Sequence, residues 1–140
     1  MNERDIKRIT DYLGRYPVII AYLFGSEAKG KAGVLSDIDI ALFVDRNIPK
    51  LERFDLRLRL SNELSSVMTK RVDIIILNDS PLQLSYEVIK HGRVIFCMDN
   101  SIKADFEADI LSKYLDRRYY DKRYAEITLE KIALRGLSTV

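Results

Sequence analysis

The sequence predicts an α/β fold of the α+β kind, in which a mixed sheet of about four strands is flanked by helices. Segments with helical periodicity alternate with short apolar runs of strand length along the 140 residues,. The first two runs are joined by a connection without a helical pattern, which excludes a purely parallel sheet. At roughly 100–200 residues per domain, the length allows one domain.

The predicted elements follow the order α-β-β-α-β-α-β-α-α. They are a helix over 3–15, strands over 17–24 and 37–44, a helix over 50–69, a strand over 71–77, a helix between Ser80 and Gly92, a strand over 93–97, and two helices starting near Ser101 and Tyr119.

The N-terminal elements have local causes. Ile6, Ile9 and Leu13 recur on one face of the first helix, which Asn2 can cap and Pro17 ends,. The two runs that follow, PVIIAYLF and DIDIALFV, are rich in β-branched and aromatic residues. Such continuous apolar runs are typical of buried strands.

The helix over 50–69 requires a buried face. Helical spacing predicts that this face comprises Leu51, Phe54, Leu58, Leu64 or Ser65, and Met68,. The run RVDIIIL then predicts a strand,. Ser80 is the predicted N-cap of the next helix, with Pro81 at its first position and Gly92 at its end.

The C-terminal forty residues are predicted to be helical. Ile102, Phe106, Ile110 and Tyr114 share one face, and a more charged helix follows over 119–134,. We therefore divide the single domain into a core over 1–98 and a helical extension over 99–140, which packs on the core or on a partner. The basic and aromatic residues near 113–124 favour a solvated or protein-docking face over RNA binding.

Composition excludes several classes of protein. The net charge of +2 is too even to indicate nucleic acid or a membrane surface as partner,. A single cysteine, Cys97, excludes an internal disulfide and is predicted to be buried, and a single histidine, His91, excludes a zinc site built on several His or Cys ligands,. No apolar run is long enough to span a membrane and the N-terminus is polar, so we expect a cytoplasmic protein.

The residues that are most suited to binding a metal ion or a phosphate group lie between Leu23 and Ile40. Asp37 and Asp39 are two residues apart on a predicted strand, so their carboxylates project from the same face and repel each other unless a cation lies between them,. Carboxylates of this kind suit Mg²⁺. Gly25 and Ser26 follow a buried strand, where glycine permits a close ligand approach and serine can cap a turn whose N–H groups bind phosphate.

A third carboxylate, Asp73, lies within an apolar strand and is costly to bury without a cation or hydrogen-bond donors,. If this strand lies beside 37–44, Asp73 completes a three-carboxylate site for two metal ions. The alternative is an ordinary ion pair between Asp73 and Arg71 or Lys70.

The pattern Gly25-Ser26, ten residues, then Asp37-x-Asp39, with Asp73 on a later strand, resembles the nucleotidyltransferase superfamily of DNA polymerase β type. The chain is most similar to the minimal nucleotidyltransferases (MNT), which form toxin–antitoxin pairs with HEPN proteins. The specific motif occupies residues 22–44, and the likeness in order and length extends over essentially the whole chain. Lys29 stands where the family often has arginine, so a triphosphate contact there would have altered geometry.

The resemblance implies a polymerase β-like fold and a Mg²⁺-dependent adenylyltransferase. Asp37, Asp39 and Asp73 would be catalytic and bind two Mg²⁺ ions, while Gly25, Ser26 and Lys29 would bind ATP. The implied acceptor is a tyrosine of a HEPN ribonuclease toxin, which AMP transfer would neutralise. Two alternatives stay open: an antitoxin that neutralises by binding alone, and a transferase acting on a small molecule.

Overall fold

The computed structural model describes residues 1–25 and 37–138, with side chains up to residue 135. Its elements are α1 (Glu3–Leu13), β1 (Val18–Phe24), β2 (Ile38–Val44), α2 (Lys50–Met68), β3 (Val72–Ile76), a 3₁₀ turn (Leu77–Asp79), α3 (Leu82–His91), β4 (Arg93–Cys97) and α4 (Asn100–Ser138).

The four strands form one mixed sheet in the order β3-β2-β1-β4, which confirms the predicted fold class. β1 is antiparallel to both β2 and β4, whereas β2 and β3 are parallel. The register places Phe24 opposite Asp39, so the C-terminal end of β1 and the N-terminal end of β2 lie at the same end of the sheet.

Helices cover both faces of the sheet. Because successive strand residues point to opposite faces, Leu23, Ile40 and Leu42 pack with α1 and α2, while Tyr22 and Phe43 pack with α3 and α4. This two-sided burial explains why the central strands are continuous apolar runs instead of alternating ones.

The predicted buried face of α2 is wrong in the first half of the helix, whereas the predicted residues Leu64 and Met68 do pack in or against the core. The helix buries Leu56, Leu60 and Leu64, whereas Leu51, Phe54 and Leu58 are exposed. Leucines occur on more than one side of this helix, so periodicity alone admits two faces. The choice between them follows from the edge strand β3, against which α2 packs with polar side chains as well as leucines.

Side chains of α2 form hydrogen bonds with backbone groups on the outer edge of β3. Ser61 Oγ donates to the carbonyl of Val72 at 2.6 Å, and Arg57 Nε donates to the carbonyl of Ile74 at 2.9 Å. The amide of Val72 donates to Ser65 Oγ at 2.8 Å. These bonds use backbone groups that an edge strand would otherwise offer to another chain.

Replacing Ser65 by alanine is expected to destabilise the protein. Val72 is fully buried, and its amide would lose its hydrogen-bond partner, which costs about 1–3 kcal/mol. Urea denaturation measures the change in the free energy of unfolding. Ser66, exposed on the same helix, provides the control: Ser66→Ala should change it by less than about 0.5 kcal/mol. Equal effects of the two substitutions would contradict this account.

The helix α3 begins one residue later than predicted. Pro81 is its N-cap, and Ser80 instead donates its hydroxyl to the carbonyl of Ile76 at 2.9 Å. The lone cysteine, Cys97, is only half-buried, and its Sγ lies 3.3 Å from Oδ1 of Asn100. The prediction that Cys97 is buried is therefore wrong, because β4 is the other edge strand of the sheet.

The two predicted C-terminal helices are one continuous helix of 39 residues, α4. Glycine and proline are absent between Gly92 and Gly136, so no residue interrupts the backbone hydrogen bonds there. The part of α4 up to Tyr114 packs on the core: Phe106 stacks on Phe43 with ring centroids 4.3 Å apart, and Tyr114 on Tyr86 at 3.6 Å.

Beyond the stacked tyrosines, α4 exposes large apolar side chains to solvent. They are Leu115, Tyr119, Tyr120, Tyr124, Ile127, Leu129, Ile132 and Leu134. Despite these residues, charged side chains recur throughout the helix, and none of the helices that the structure describes is long and apolar enough to cross a membrane.

Candidate active site

Two aspartates are paired across the parallel strands β2 and β3. Asp39 and Asp73 are register partners, so their side chains leave the same face of the sheet on neighbouring strands. Their flanking residues Ile38, Ile40 and Val72 are buried on the opposite face. The sequence analysis made the three-carboxylate site depend on whether the strand of Asp73 lies beside the strand of Asp39. The two strands are paired, which brings Asp73 beside Asp39.

Asp37 lies at the same end of the sheet. It immediately precedes β2, where the amide of Ile38 donates to the carbonyl of Arg71 at 2.9 Å and begins the ladder with β3. The side chains of Asp37 and Asp73 are 43% and 39% exposed. The three carboxylates therefore lie at the same end of the sheet, where solvent and ligands can reach Asp37 and Asp73.

The electrostatics of this edge favour a cation. Burial, followed by the neighbouring charges of Asp73 and Asp37, raises the pKa of Asp39 above its ordinary value, and the Arg71 guanidinium partly opposes this shift. A raised carboxyl pKa means that the surroundings disfavour its charged form. Positive charge placed among these carboxylates relieves that cost.

Gly25 closes the site on the side of β1. Its φ of 71° lies in the left-handed region, which side chains other than glycine rarely adopt. A Cβ atom built on Gly25 would lie 2.5 Å from Oδ2 of Asp39. A side chain at this position would therefore be strained and would require the Asp39 carboxylate to shift. The predicted ligand residues Ser26 and Lys29 lie outside the described residues.

The donor set fits Mg²⁺ in chemistry. Three carboxylates at one sheet edge are hard oxygen ligands of the type that Mg²⁺ takes, with water and substrate phosphate completing its shell. Within 1–25 and 37–138, however, no three His, Cys, Asp or Glu side chains are placed closely enough to form a metal site by themselves. The three-carboxylate metal site stays a prediction.

The sequence analysis underestimated the part that Arg71 plays in the site. It entered only as an alternative ion-pair partner of Asp73. Its Nε lies 3.2 Å from Oδ1 of Asp73 and 3.9 Å from Oδ2 of Asp37. The signal was present, since residues 71 and 73 are two apart and side chains at that spacing share a strand face.

A cavity of about 470 Å³ lies away from these carboxylates. It is lined by Phe43, Leu77 and Ser80 among others, near the ends of β2 and β3 opposite to Asp39 and Asp73. We assign the candidate active site to the end of the sheet that carries Asp37, Asp39 and Asp73, because the acidic side chains lie there and the backbone of Gly25 approaches Asp39 closely.

Comparison with known proteins bears on the family to which the chain belongs. The family model described as polymerase beta, nucleotidyltransferase matches residues 7–101. The protein adenylyltransferase MntA of Shewanella oneidensis is 30% identical over 97 residues, covering 69% of this chain and 66% of the relative. The match thus spans just under two thirds of that relative's length.

Solved structures share the fold. A toxin–antitoxin crystal structure with AMP-PNP matches with a TM-score of 0.70 and 22% identity, covering 92% of this chain and 99% of the other. A tri-AMPylated Shewanella oneidensis HEPN toxin in complex with an MNT antitoxin matches with a TM-score of 0.70 and 20% identity, over the same shares. At these identities the likeness establishes the fold alone.

The family match extends over more than half of the chain and includes Gly25 and all three aspartates. It confirms the resemblance drawn from the Gly-Ser and Asp-x-Asp motif, and the structure places Gly25 beside Asp39. The chain therefore belongs to the polymerase β nucleotidyltransferase family.

Proposed function

We propose that this protein is an antitoxin that transfers AMP from ATP to a tyrosine hydroxyl of a cognate HEPN toxin and thereby neutralises it. The relative MntA is a protein adenylyltransferase, and a HEPN toxin held by an MNT antitoxin of the same fold carries AMP groups. ATP as substrate is supported by the matching toxin–antitoxin structure that contains AMP-PNP. We also propose a cytoplasmic location for this protein, because ATP is available there as the substrate.

The observation that carries the proposal is the pairing of Asp39 with Asp73 in register, with Asp37 at the same edge. A carboxylate cluster whose surroundings disfavour the charged form is costly for a purely structural role. It is useful where a divalent cation and a triphosphate bind together.

Each residue has a proposed part in the reaction. Asp37 and Asp39 would hold one Mg²⁺ and share a second with Asp73, and Gly25 and Ser26 would position the triphosphate, with Lys29 as a further contact. When bound, Mg²⁺ neutralises phosphate charge and favours ionisation of the attacking hydroxyl. Asp73 accepts the tyrosine proton as the tyrosyl oxygen bonds to the α-phosphorus and pyrophosphate leaves.

The site suits an acceptor delivered by another protein. Asp37 and Asp73 are partly exposed, so a tyrosine presented on a partner's surface can reach them. The exposed distal half of α4, rich in tyrosine and leucine, is the surface that we assign to toxin docking, because tyrosine is enriched at protein interfaces. In this proposal the extension over 99–140 packs on both core and partner.

Mass spectrometry tests the transfer. The protein is incubated with ATP, Mg²⁺ and the product of the neighbouring gene, where a cognate HEPN toxin is expected, and the intact mass of that product is measured. We expect a gain in multiples of AMP, which maps to tyrosine after proteolysis and is lost in the Asp37→Ala/Asp39→Ala variant. If that variant neutralises the toxin as well as the wild type does, the protein acts by binding and the catalytic proposal is wrong.

A further inference from the structure

Arg71 places a positive charge directly among the carboxylates. Its Nε contacts Oδ1 of Asp73 at 3.2 Å and lies 3.9 Å from Oδ2 of Asp37. Its charge also opposes the rise in the pKa of Asp39. One guanidinium thus interacts with all three acidic side chains of the candidate site.

The backbone of Arg71 is held in the sheet, whereas its side chain is largely exposed to solvent. Its carbonyl accepts the hydrogen bond from the amide of Ile38, which joins β3 to β2 at this edge. The side chain is 72% exposed. A long, exposed side chain on a fixed backbone can leave the carboxylates without disturbing the sheet.

A guanidinium and a divalent cation compete for the same oxygens. Each satisfies carboxylate charge, and two cations within a few ångströms of one another repel strongly. An exposed ion pair is worth little, about 0–1 kcal/mol at the median. The arginine therefore acts as a counterion that a strongly bound metal ion can displace.

We propose that Arg71 is the resident counterion of this site and that divalent cations bind by displacing it from Asp37 and Asp73. The inference rests on the proposed function, because it requires metal binding at the carboxylates. The arginine reduces repulsion among the carboxylates when metal is absent, and in doing so it weakens metal binding.

The test is a titration of the full-length protein with Mn²⁺, followed by electron paramagnetic resonance. We expect Arg71→Ala to bind Mn²⁺ about fivefold more tightly than the wild type, as follows from removing an exposed ion pair. Arg71→Lys, which keeps the charge but lacks the guanidinium fork, should fall between them. Arg117→Ala removes the same charge from an exposed position on α4 and should leave the affinity unchanged.

A second measurement separates this inference from the proposed function. In EDTA, Arg71→Ala should melt about 2–4 °C below the wild type, because the carboxylates lose their counterion. Unchanged or weaker Mn²⁺ binding by Arg71→Ala, with normal binding by the wild type, overturns the counterion role alone. If the wild type and Asp39→Asn both fail to bind Mn²⁺, the proposed metal site itself is wrong.

Discussion

Replacement of Asp39 by asparagine is expected to lower the rate of AMP transfer at least about a thousandfold, since a metal-binding carboxylate supports several kcal/mol of transition-state stabilisation. Asparagine keeps the shape of the side chain but not its charge. The rate is measured as labelled AMP incorporated into the toxin per unit time. Asp11→Asn, which changes an exposed aspartate on α1, should leave the rate unchanged.

The same substitution is expected to stabilise the protein in EDTA. Burial and the neighbouring Asp73 and Asp37 raise the pKa of Asp39, so the folded state binds a proton at this position more tightly than the unfolded state does. The favourable contribution of the protonated carboxyl is complete below its ordinary pKa and is lost as the pH rises through the raised value. At neutral pH the ionised carboxylate opposes folding.

Thermal unfolding in EDTA at pH 7 measures this effect. We expect Asp39→Asn to melt about 2–3 °C above the wild type and the difference to shrink as the pH is lowered toward 4. Loss of activity together with a gain in stability is the behaviour of a residue kept for function. A variant that lost stability, or that still transferred AMP at a normal rate, would contradict the role given to Asp39.

Replacement of Gly25 by alanine is expected to disrupt both the fold and the site. The residue has a φ of 71°, and the added Cβ would lie 2.5 Å from Oδ2 of Asp39. We expect a loss of about 1–3 kcal/mol in the free energy of unfolding from backbone strain. Displacing Asp39 by about 1 Å should lower AMP transfer about a hundredfold.

Gly14 provides a matched control at the end of α1. Its φ is −62°, and the closest atom to a Cβ built there is the carbonyl oxygen of Thr10 at 3.6 Å. Gly14→Ala should therefore be neutral or stabilise by up to about 1 kcal/mol, with AMP transfer unchanged. Urea denaturation and the transfer assay, applied to both variants, would refute the account if Gly25→Ala behaved like Gly14→Ala.

Much of the site was predictable because its signals are local. The alternation of Asp37 and Asp39 with Ile38 and Ile40 puts carboxylates on one face and core residues on the other,. The role of Gly25 was likewise predictable from its position directly after β1, because glycine permits a close approach of the backbone to a ligand. Asp73 is different: its place beside Asp39 depends on which strands are neighbours, and the sheet order decided it.

Other features depend on contacts between distant parts of the chain. The periodicity of α2 admitted the face of Leu51, Phe54 and Leu58, but the first half of the helix buries Leu56 and Leu60 instead. That orientation also lets its serines and arginine bond to the edge of β3. Similarly, the charged stretch near Tyr119 was predicted to be a separate helix, whereas it continues α4 without a break.

By itself, the sequence determined the element types, the mixed sheet and the residues that carry the chemistry, because each depends on spacing and side-chain type within a short stretch of chain. The tertiary structure alone decided which face of α2 is buried, that Asp73 is the register partner of Asp39, and that Arg71 lies among the carboxylates. These outcomes depend on strand pairing and helix packing, whose energies come from residues far apart in the chain.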